Sequence, residues 1–123
     1  MNASSITIPK SMTAHVQRVG TLEFSDLRAG DIILIRTKNS LYSFLIANAR
    51  TLCGRLLGDV NDDQSREAVL VGGVIRRAGR SHTLTSRLVT ESRALFALQS
   101  GSEVMGLTTS PVVSLCYVRL IED

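Results

Sequence analysis

The stretch DIILIRTKNSLYSFLIA, residues 31–47, decides the fold that this sequence predicts. Residues 31–37 are rich in Ile and Leu, and the polar residues 38–40 then favour a turn, because Asn tolerates left-handed backbone angles and bonds its own main chain. The segment therefore predicts a β-hairpin. Side chains of an extended strand alternate between its two faces. In the returning strand this places Tyr42, Phe44 and Ile46 on one face and Leu41, Ser43 and Leu45 on the other.

Both faces of this hairpin are mainly apolar, and so are both faces of residues 111–121 near the C-terminal end. The interior of one small barrel covers only one face of each strand, so apolar surface is left over. A second subunit could bury this remaining apolar surface. We therefore expect a homo-oligomer, with a two-fold dimer favoured. The interface candidates are Leu41, Leu45, Val112 and Val118.

The rest of the chain consists of short apolar runs separated by Gly, Asn, Asp and Ser, which is typical of an all-β protein. We predict a small, strongly bent antiparallel barrel or sandwich of about seven or eight short strands. Besides the hairpin and the C-terminal run, strands are expected around residues 16–24, 51–58 and 68–75.

Glycines and one ambiguous segment complete the fold prediction. Gly54 is expected at a bulge or a close approach of two strands, and the pair Gly72-Gly73 at a sharp bend. Residues 86–98 have both helical spacing and β-branched residues. We favour two short strands broken near residues 91–93, with one short helix as the alternative.

The segment TTSPVVSL, residues 108–115, predicts the entrance to the last strand. Pro111 suits the first residue of a strand, where its missing N–H removes no ladder hydrogen bond. The three hydroxyl residues before it can satisfy a turn through side-chain bonds to the backbone. Alternation from Pro111 then predicts that Val113, Leu115 and Tyr117 face the core.

Length and composition indicate one globular domain. The chain has 123 residues, of which 44% are hydrophobic and 20% charged, which is enough to bury a core without metal or disulfide. We expect residues 1–12 to form a flexible N-terminal arm and residues 13–123 one barrel-like domain. No apolar run approaches the roughly 20 residues of a membrane span, and no signal peptide is evident. The prediction is a soluble cytoplasmic protein with no membrane contact.

The residue types that can bind metals do not occur here at the spacings that metal sites use. Cys53 and Cys116 are the only cysteines, and we expect reduced thiols, with a disulfide between them as the less favoured alternative. The two His and two Cys form no close pair of the kind that zinc sites use. The segment 59–70, which contains four acidic residues, begins like a calcium loop but has Gln64 in place of the glycine and Leu70 in place of the glutamate. No metal and no cofactor are predicted.

Arginines are concentrated between residues 75 and 93, where five of them accompany a single acid, Glu91. A loop RRAGRSH projecting from the barrel rim would bind an anionic ligand or nucleic acid, and this is the alternative function. Stacking on single-stranded bases is disfavoured, because no aromatic residue lies in this loop. The anion-binding candidates are Arg76, Arg77, Arg80 and Arg87.

No catalytic motif is present: the sequence lacks a nucleophile elbow and a phosphate-binding glycine loop. The sequence therefore identifies no catalytic residues. The second alternative is an enzyme with a site at a barrel mouth or subunit interface, which would use His82, Asp31 or Ser110. The strand and turn pattern of residues 30–46 and 108–115 is similar to that of small bacterial β-domains, which implies no functional residue. The leading prediction is a non-enzymatic, self-associating binding or assembly module.

Overall fold

The computed structural model describes residues 12–58 and 65–122, and these form ten strands. The strands are β1 (Met12–Val19), β2 (Thr21–Glu23), β3 (Ile32–Thr37), β4 (Leu41–Asn48), β5 (Cys53–Leu57), β6 (Ser65–Arg77), β7 (Arg80–Leu84), β8 (Arg87–Val89), β9 (Arg93–Ser100) and β10 (Glu103–Glu122). A single 3-10 turn, Phe24–Asp26, follows β2. The described residues contain no α-helix.

Six of the strands close into an antiparallel barrel, in the order β3, β4, β5, β6, β9 and β10. Closure occurs because β10 pairs with β9 and also with β3. β1 extends the sheet beside β10, β7 extends it beside β6, and β2 and β8 form a separate two-stranded sheet. The prediction of a small all-β barrel is therefore confirmed. The expected break in residues 86–98 is also confirmed, and it falls at Glu91, where φ is 75°.

The central hairpin is formed by β3 and β4, as residues 31–47 predicted. Ile35 lies opposite Tyr42, and Ile33 opposite Phe44. The turn is closed by the Thr37 N–H, which donates to the Ser40 carbonyl at 2.7 Å, and by the Thr37 hydroxyl, which bonds both the N–H and the carbonyl of Ser40. The turn therefore supplies its own partners, and the register of the hairpin is fixed locally.

The long strand β10 corrects the prediction that Pro111 begins a strand. Pro111 lies inside β10, at the point where the register with β9 shifts between Thr108 and Pro111. A bulge is one of the few places in a sheet where proline is tolerated, since no ladder N–H is required there. The buried Thr109 completes the pairing, because its hydroxyl accepts from the Ala94 N–H at 3.0 Å and donates to the Ser110 carbonyl. The hydroxyl residues thus bridge a bulge within a continuous strand.

A second register shift in β10, between Val112 and Ser114, makes the predicted orientation of Val113 wrong. An extra residue at a bulge reverses the alternation of side chains. Val113 is consequently 56% exposed, whereas Val112 is buried. The predictions for Leu115 and Tyr117 are confirmed: Leu115 is fully buried and Tyr117 packs against the core.

The core fills the barrel with aliphatic side chains around an edge-to-face contact of Phe44 with Phe96, whose ring centres lie 5.3 Å apart. The small β2–β8 sheet adds Leu22 and Leu88 to this core. The predicted close approach at Gly54 is confirmed, because a Cβ atom there would lie 1.9 Å from the Leu45 carbonyl oxygen. The register of β6 with β9 shifts between Leu70 and Gly72, so an irregularity lies at the glycine pair for which a bend was predicted.

Two predictions fall outside the described residues. They are the flexible arm, apart from Met12 at its end, and residues 59–64 of the segment that was compared with a calcium loop. In the part of the chain that is described, no helix has the length and apolarity that crossing a bilayer requires.

Candidate functional site

The outside of the barrel carries a row of apolar side chains that crosses four strands. Val16 of β1 lies opposite Val118 of β10, Val118 opposite Ile32 of β3, and Ile32 opposite Leu45 of β4. Residues opposite each other in antiparallel strands point to the same side. This is the outer side, because the neighbouring row, Tyr117, Ile33 and Phe44, points into the barrel.

A second row lies beside the first, with Cys116 opposite Leu34 and Leu34 opposite Ser43. Cys116 and Leu34 are half-buried. We call the two rows together the apolar outer face. Its members are Val16, Ile32, Leu34, Ser43, Leu45, Cys116 and Val118.

Exposure varies strongly across the apolar outer face. Val118 is only 7% exposed although it lies outside the core cluster, because apolar neighbours surround it on its own strand and on both adjacent strands. Leu45 is 44% exposed and Val16 is 65% exposed. Leu41, further along β4, is also exposed. The face thus has a covered centre and an accessible apolar margin.

The four predicted interface residues have different positions. Leu41 and Leu45 are exposed on the outer side of β4, and Val118 lies at the centre of the apolar outer face. Val112 lies in the barrel core, so its side chain cannot contact a partner. Regular alternation along β10 predicts an outward-facing Val112, and the register shift in β10 reverses that alternation.

Arginines border the apolar outer face. Arg18 of β1 lies opposite Cys116. Arg36 of β3 lies opposite Leu41, and Arg55 of β5 lies opposite Leu45. All three side chains are exposed. An apolar centre with a polar, arginine-bearing rim is the usual composition of a protein–protein interface.

A shallow depression of about 430 Å³ adjoins the apolar outer face on the outside of the barrel. Ala47 connects the two, since it follows Leu45 by two residues on β4. The lining combines small and larger apolar residues with the charged pair Arg55 and Glu67, which lie opposite each other on β5 and β6. The depression offers room for an apolar side chain next to the apolar outer face.

The arginine segment is a β-ribbon where the sequence predicted a loop. β6 and β7 pair from Gly73–Leu84 to Arg77–Arg80. The two-residue turn between them has positive φ at both positions, 51° at Ala78 and 76° at Gly79, which is the type I′ geometry of tight hairpins. We call residues 76–83 the arginine ribbon; every one of them is exposed.

Three of the four predicted anion-binding residues share the arginine ribbon. Arg77 and Arg80 lie directly opposite each other, and Arg76 lies opposite Ser81 on the other face. Arg87 is separate, because it belongs to the small β2–β8 sheet, where its guanidinium lies 3.7 Å from the Glu23 carboxylate. Among the described residues, the ribbon arginines have no ion-pair partner.

An ion pair joins the buried Asp31, just before β3, to the partly buried Arg119 near the end of β10. Two guanidinium nitrogens donate to the two carboxylate oxygens at 3.0 and 2.7 Å, and the second also donates to the Asp26 carbonyl. Asp31 is 1% exposed and also accepts from the Arg28 N–H. The hydrogen bonds to Asp31 raise the pKa of the Arg119 guanidinium, against the opposing effect of burial. No local sequence pattern indicates this pair, since its members are 88 residues apart.

The three residues proposed for catalysis do not converge. His82 is exposed on β7 and Ser110 lies on β10, and β6 and β9 stand between these two strands. Asp31 bonds Arg119, which is nine residues from Ser110 on β10, roughly 30 Å along the strand. The geometry therefore does not support a site built from these three side chains.

The cysteines also lie apart. Cys116 is on β10 and Cys53 on β5, with β3 and β4 between them, so about 14 Å separates their strands. A disulfide requires Cα atoms within about 7 Å, and both thiols are free. No three His, Cys, Asp or Glu side chains within residues 12–58 and 65–122 come together in a way that could hold a metal ion.

Comparisons with protein-family models, with curated proteins and with solved structures find no match to this chain. The apolar outer face and the arginine ribbon are therefore the two features that bear on function.

Proposed function

We propose that this protein is a non-enzymatic assembly module that forms a homodimer through the apolar outer face. The observation that carries the proposal is the row of Val16, Val118, Ile32 and Leu45, which is apolar across four strands on the outside of a closed barrel. The barrel interior is already filled by other side chains, so nothing within the described chain covers the margin of this row.

Burial of apolar surface drives the association. Removing apolar surface from water contributes roughly 25 cal/mol per Å², and two such faces can pack as sheets do in a β-sandwich, about 10 Å apart. The row spans three strand spacings, about 14 Å. That is the centre of an interface rather than a whole one, since a stable complex buries about 800 Å² per partner. Leu41, the rim arginines and the depression beside Leu45 would supply the remainder.

The location that fits this proposal is the cytoplasm. Two free thiols, one of them on the apolar outer face, persist in a reducing compartment and are prone to oxidation outside it.

Sedimentation equilibrium between about 1 and 200 μM tests the proposal. We expect a monomer–dimer equilibrium in the wild type. Leu45→Asp introduces a charge at the exposed margin of the face and should raise the dimer dissociation constant by roughly 100-fold, since an unpaired charge in an apolar interface costs several kcal/mol.

Met105→Asp is the matched control, because Met105 is also a large exposed apolar residue but lies on the part of β10 that pairs with β9. It should leave the dissociation constant within about twofold of wild type. A wild-type protein that stays monomeric at 200 μM, or equal losses in the two variants, would show that the apolar outer face is not a dimer interface.

A further inference from the structure

The arginine ribbon extends beyond the barrel wall as a two-stranded structure. β6 pairs with β9 only as far as Val74, which lies opposite Arg93. Beyond Val74, β6 has β7 as its only partner among the described residues. Because every side chain from Arg76 to Thr83 is exposed, both faces of the ribbon are available to a ligand. From Ile75 to the turn the ribbon rises about 10 to 13 Å.

The formal net charge of the sequence equals the charge of this ribbon. The segment Ile75–Leu84 contains three of the chain's fourteen basic residues and none of its eleven acidic residues. The remaining sequence is therefore balanced, with eleven of each sign, and the formal net charge of +3 belongs to the ribbon. A local excess of positive charge such as this one attracts an anionic partner to that part of the surface.

The pairing of Arg77 with Arg80 also points to an anionic ligand. The two residues are directly opposite each other next to the turn, which brings their Cβ atoms to about 5 Å. Like charges placed opposite each other destabilise an antiparallel pair. A phosphate bound between the two guanidinium groups would remove this repulsion and accept charge-assisted hydrogen bonds from both.

The shape of the ribbon selects among phosphate polymers. The major groove of B-form DNA is about 12 Å wide and 8.5 Å deep and admits a two-stranded β-ribbon. The deep, narrow major groove of A-form RNA does not admit side chains in this way. Single strands are normally held by aromatic side chains on which bases stack, and the segment Ile75–Leu84 has no aromatic residue apart from the imidazole of His82.

We propose that the arginine ribbon binds double-stranded DNA by entering its major groove. Arg77 and Arg80 contact backbone phosphates near the turn, and Arg76 and Ser81 present donors on the opposite face of the ribbon. This proposal does not depend on dimer formation, because the apolar outer face and the arginine ribbon lie on different parts of the sheet.

Fluorescence anisotropy with a labelled 20-base-pair duplex tests the proposal, in titrations between 50 and 200 mM salt. Each phosphate that the protein neutralises contributes about −0.9 to the slope of log K against log salt. Three arginines therefore predict a slope of about −2.7. The double variant Arg77→Ala/Arg80→Ala should bind at least about tenfold more weakly, and its slope should be shallower by about 2.

The matched control is Arg28→Ala/Arg50→Ala, which also removes two exposed arginines but leaves both the ribbon and the rim of the apolar outer face intact. It should retain the wild-type slope. Methyl green, which occupies the major groove, should displace the protein, whereas netropsin, which occupies the minor groove, should not.

Three results would overturn the proposal. They are no binding to the duplex at 50 mM salt, equal losses in the two double variants, and equal binding of the DNA duplex, an RNA duplex of the same sequence and the single strand. Binding that resists methyl green but not netropsin would likewise exclude entry into the major groove.

Discussion

Arginine has two different environments in two regions of this structure. At the end of β10, Arg119 donates to both oxygens of Asp31 and to the Asp26 carbonyl, and its guanidinium carbon lies 5.6 Å from the centre of the Tyr117 ring. On the ribbon, Arg77 and Arg80 are exposed and have each other as cross-strand neighbours. Arg119 is a structural cation whose partners are all supplied by the chain.

The difference shows how to distinguish structural from functional charge in a protein of this kind. The partly buried Arg119 faces the buried Asp31 carboxylate, and a charge buried as fully as Asp31 must be paired, since an isolated buried charge is very costly. An exposed arginine without an acidic partner costs little and remains free to bind an external anion. Substitutions in the barrel should therefore lower the free energy of unfolding, whereas substitutions in the ribbon should change it little.

The largest effect is expected from Asp31→Asn in the buried pair. This substitution leaves Arg119 without its anionic partner and replaces one of the two oxygens that accept from Arg119 and from the Arg28 N–H by an NH2 donor. Removing one member of a buried pair typically costs 3 to 5 kcal/mol. Because the Arg119 side chain retains some solvent exposure, we expect a loss of about 3 kcal/mol in the free energy of unfolding, measured in urea.

Asp26→Ala is the control for Asp31→Asn. Asp26 is exposed, and it contacts Arg119 through its backbone carbonyl, which the substitution keeps. Its effect should stay within about 0.5 kcal/mol. If Asp31→Asn also changed stability by less than about 1 kcal/mol, Arg119 would be no more structural than the ribbon arginines, and the contrast between the two regions would fail.

The second largest effect is expected in the barrel wall at Gly54. A Cβ atom at this position would lie 1.9 Å from the Leu45 carbonyl oxygen and 2.9 Å from its carbon. Since the obstacle is backbone, β4 and β5 must move apart, and Gly54→Ala should cost about 2 to 3 kcal/mol. Urea unfolding again measures the loss.

Gly106→Ala provides the comparison for Gly54→Ala, because Gly106 also lies in a barrel strand but has open space where its Cβ would be. Its free energy of unfolding should equal or slightly exceed that of the wild type, since alanine restricts the unfolded chain more than glycine does. Equal losses at the two positions would mean that a general intolerance of side chains, and not the contact with Leu45, explains the result at Gly54.

Local sequence patterns predicted the fold well where the chain pairs with itself nearby. The β3–β4 hairpin, the close approach at Gly54 and the break at Glu91 each follow from a few neighbouring residues. The errors at Pro111 and Val113 come from β10, which changes partner from β9 to β3 through two register shifts. A bulge depends on tertiary pairing, so alternation counted along one strand cannot locate it.

The candidate surfaces were predictable only in part. The excess of apolar residues in residues 31–47 correctly indicated a second apolar face, but its membership depended on the register of β1 and β10. The cluster of arginines was visible in the sequence, but not that β6 and β7 hold it as a ribbon. The sequence gives one sign of the buried pair, an arginine within an otherwise apolar C-terminal run, and no sign of its partner.

The smallest effect is expected in the turn of the arginine ribbon. Ala78 adopts a φ of 51°, which costs an ordinary L-residue roughly 1 kcal/mol. Ala78→Asn creates Asn-Gly, the pair that type I′ turns prefer. We expect it to stabilise the ribbon by about 0.5 to 1 kcal/mol, which corresponds to a two- to fivefold rise in the hydrogen-exchange protection of ribbon amides.

The residues at which hydrogen-exchange protection increases show whether the ribbon and the barrel unfold independently. The ribbon has few buried contacts, so it should open without unfolding the barrel. Protection at residues 75–83 should therefore increase while the amides of β3 and β4 keep their wild-type exchange rates. If Ala78→Asn protects both regions equally, the ribbon unfolds together with the barrel. Its arginines would then affect the stability of the whole fold, contrary to the distinction drawn from Arg119.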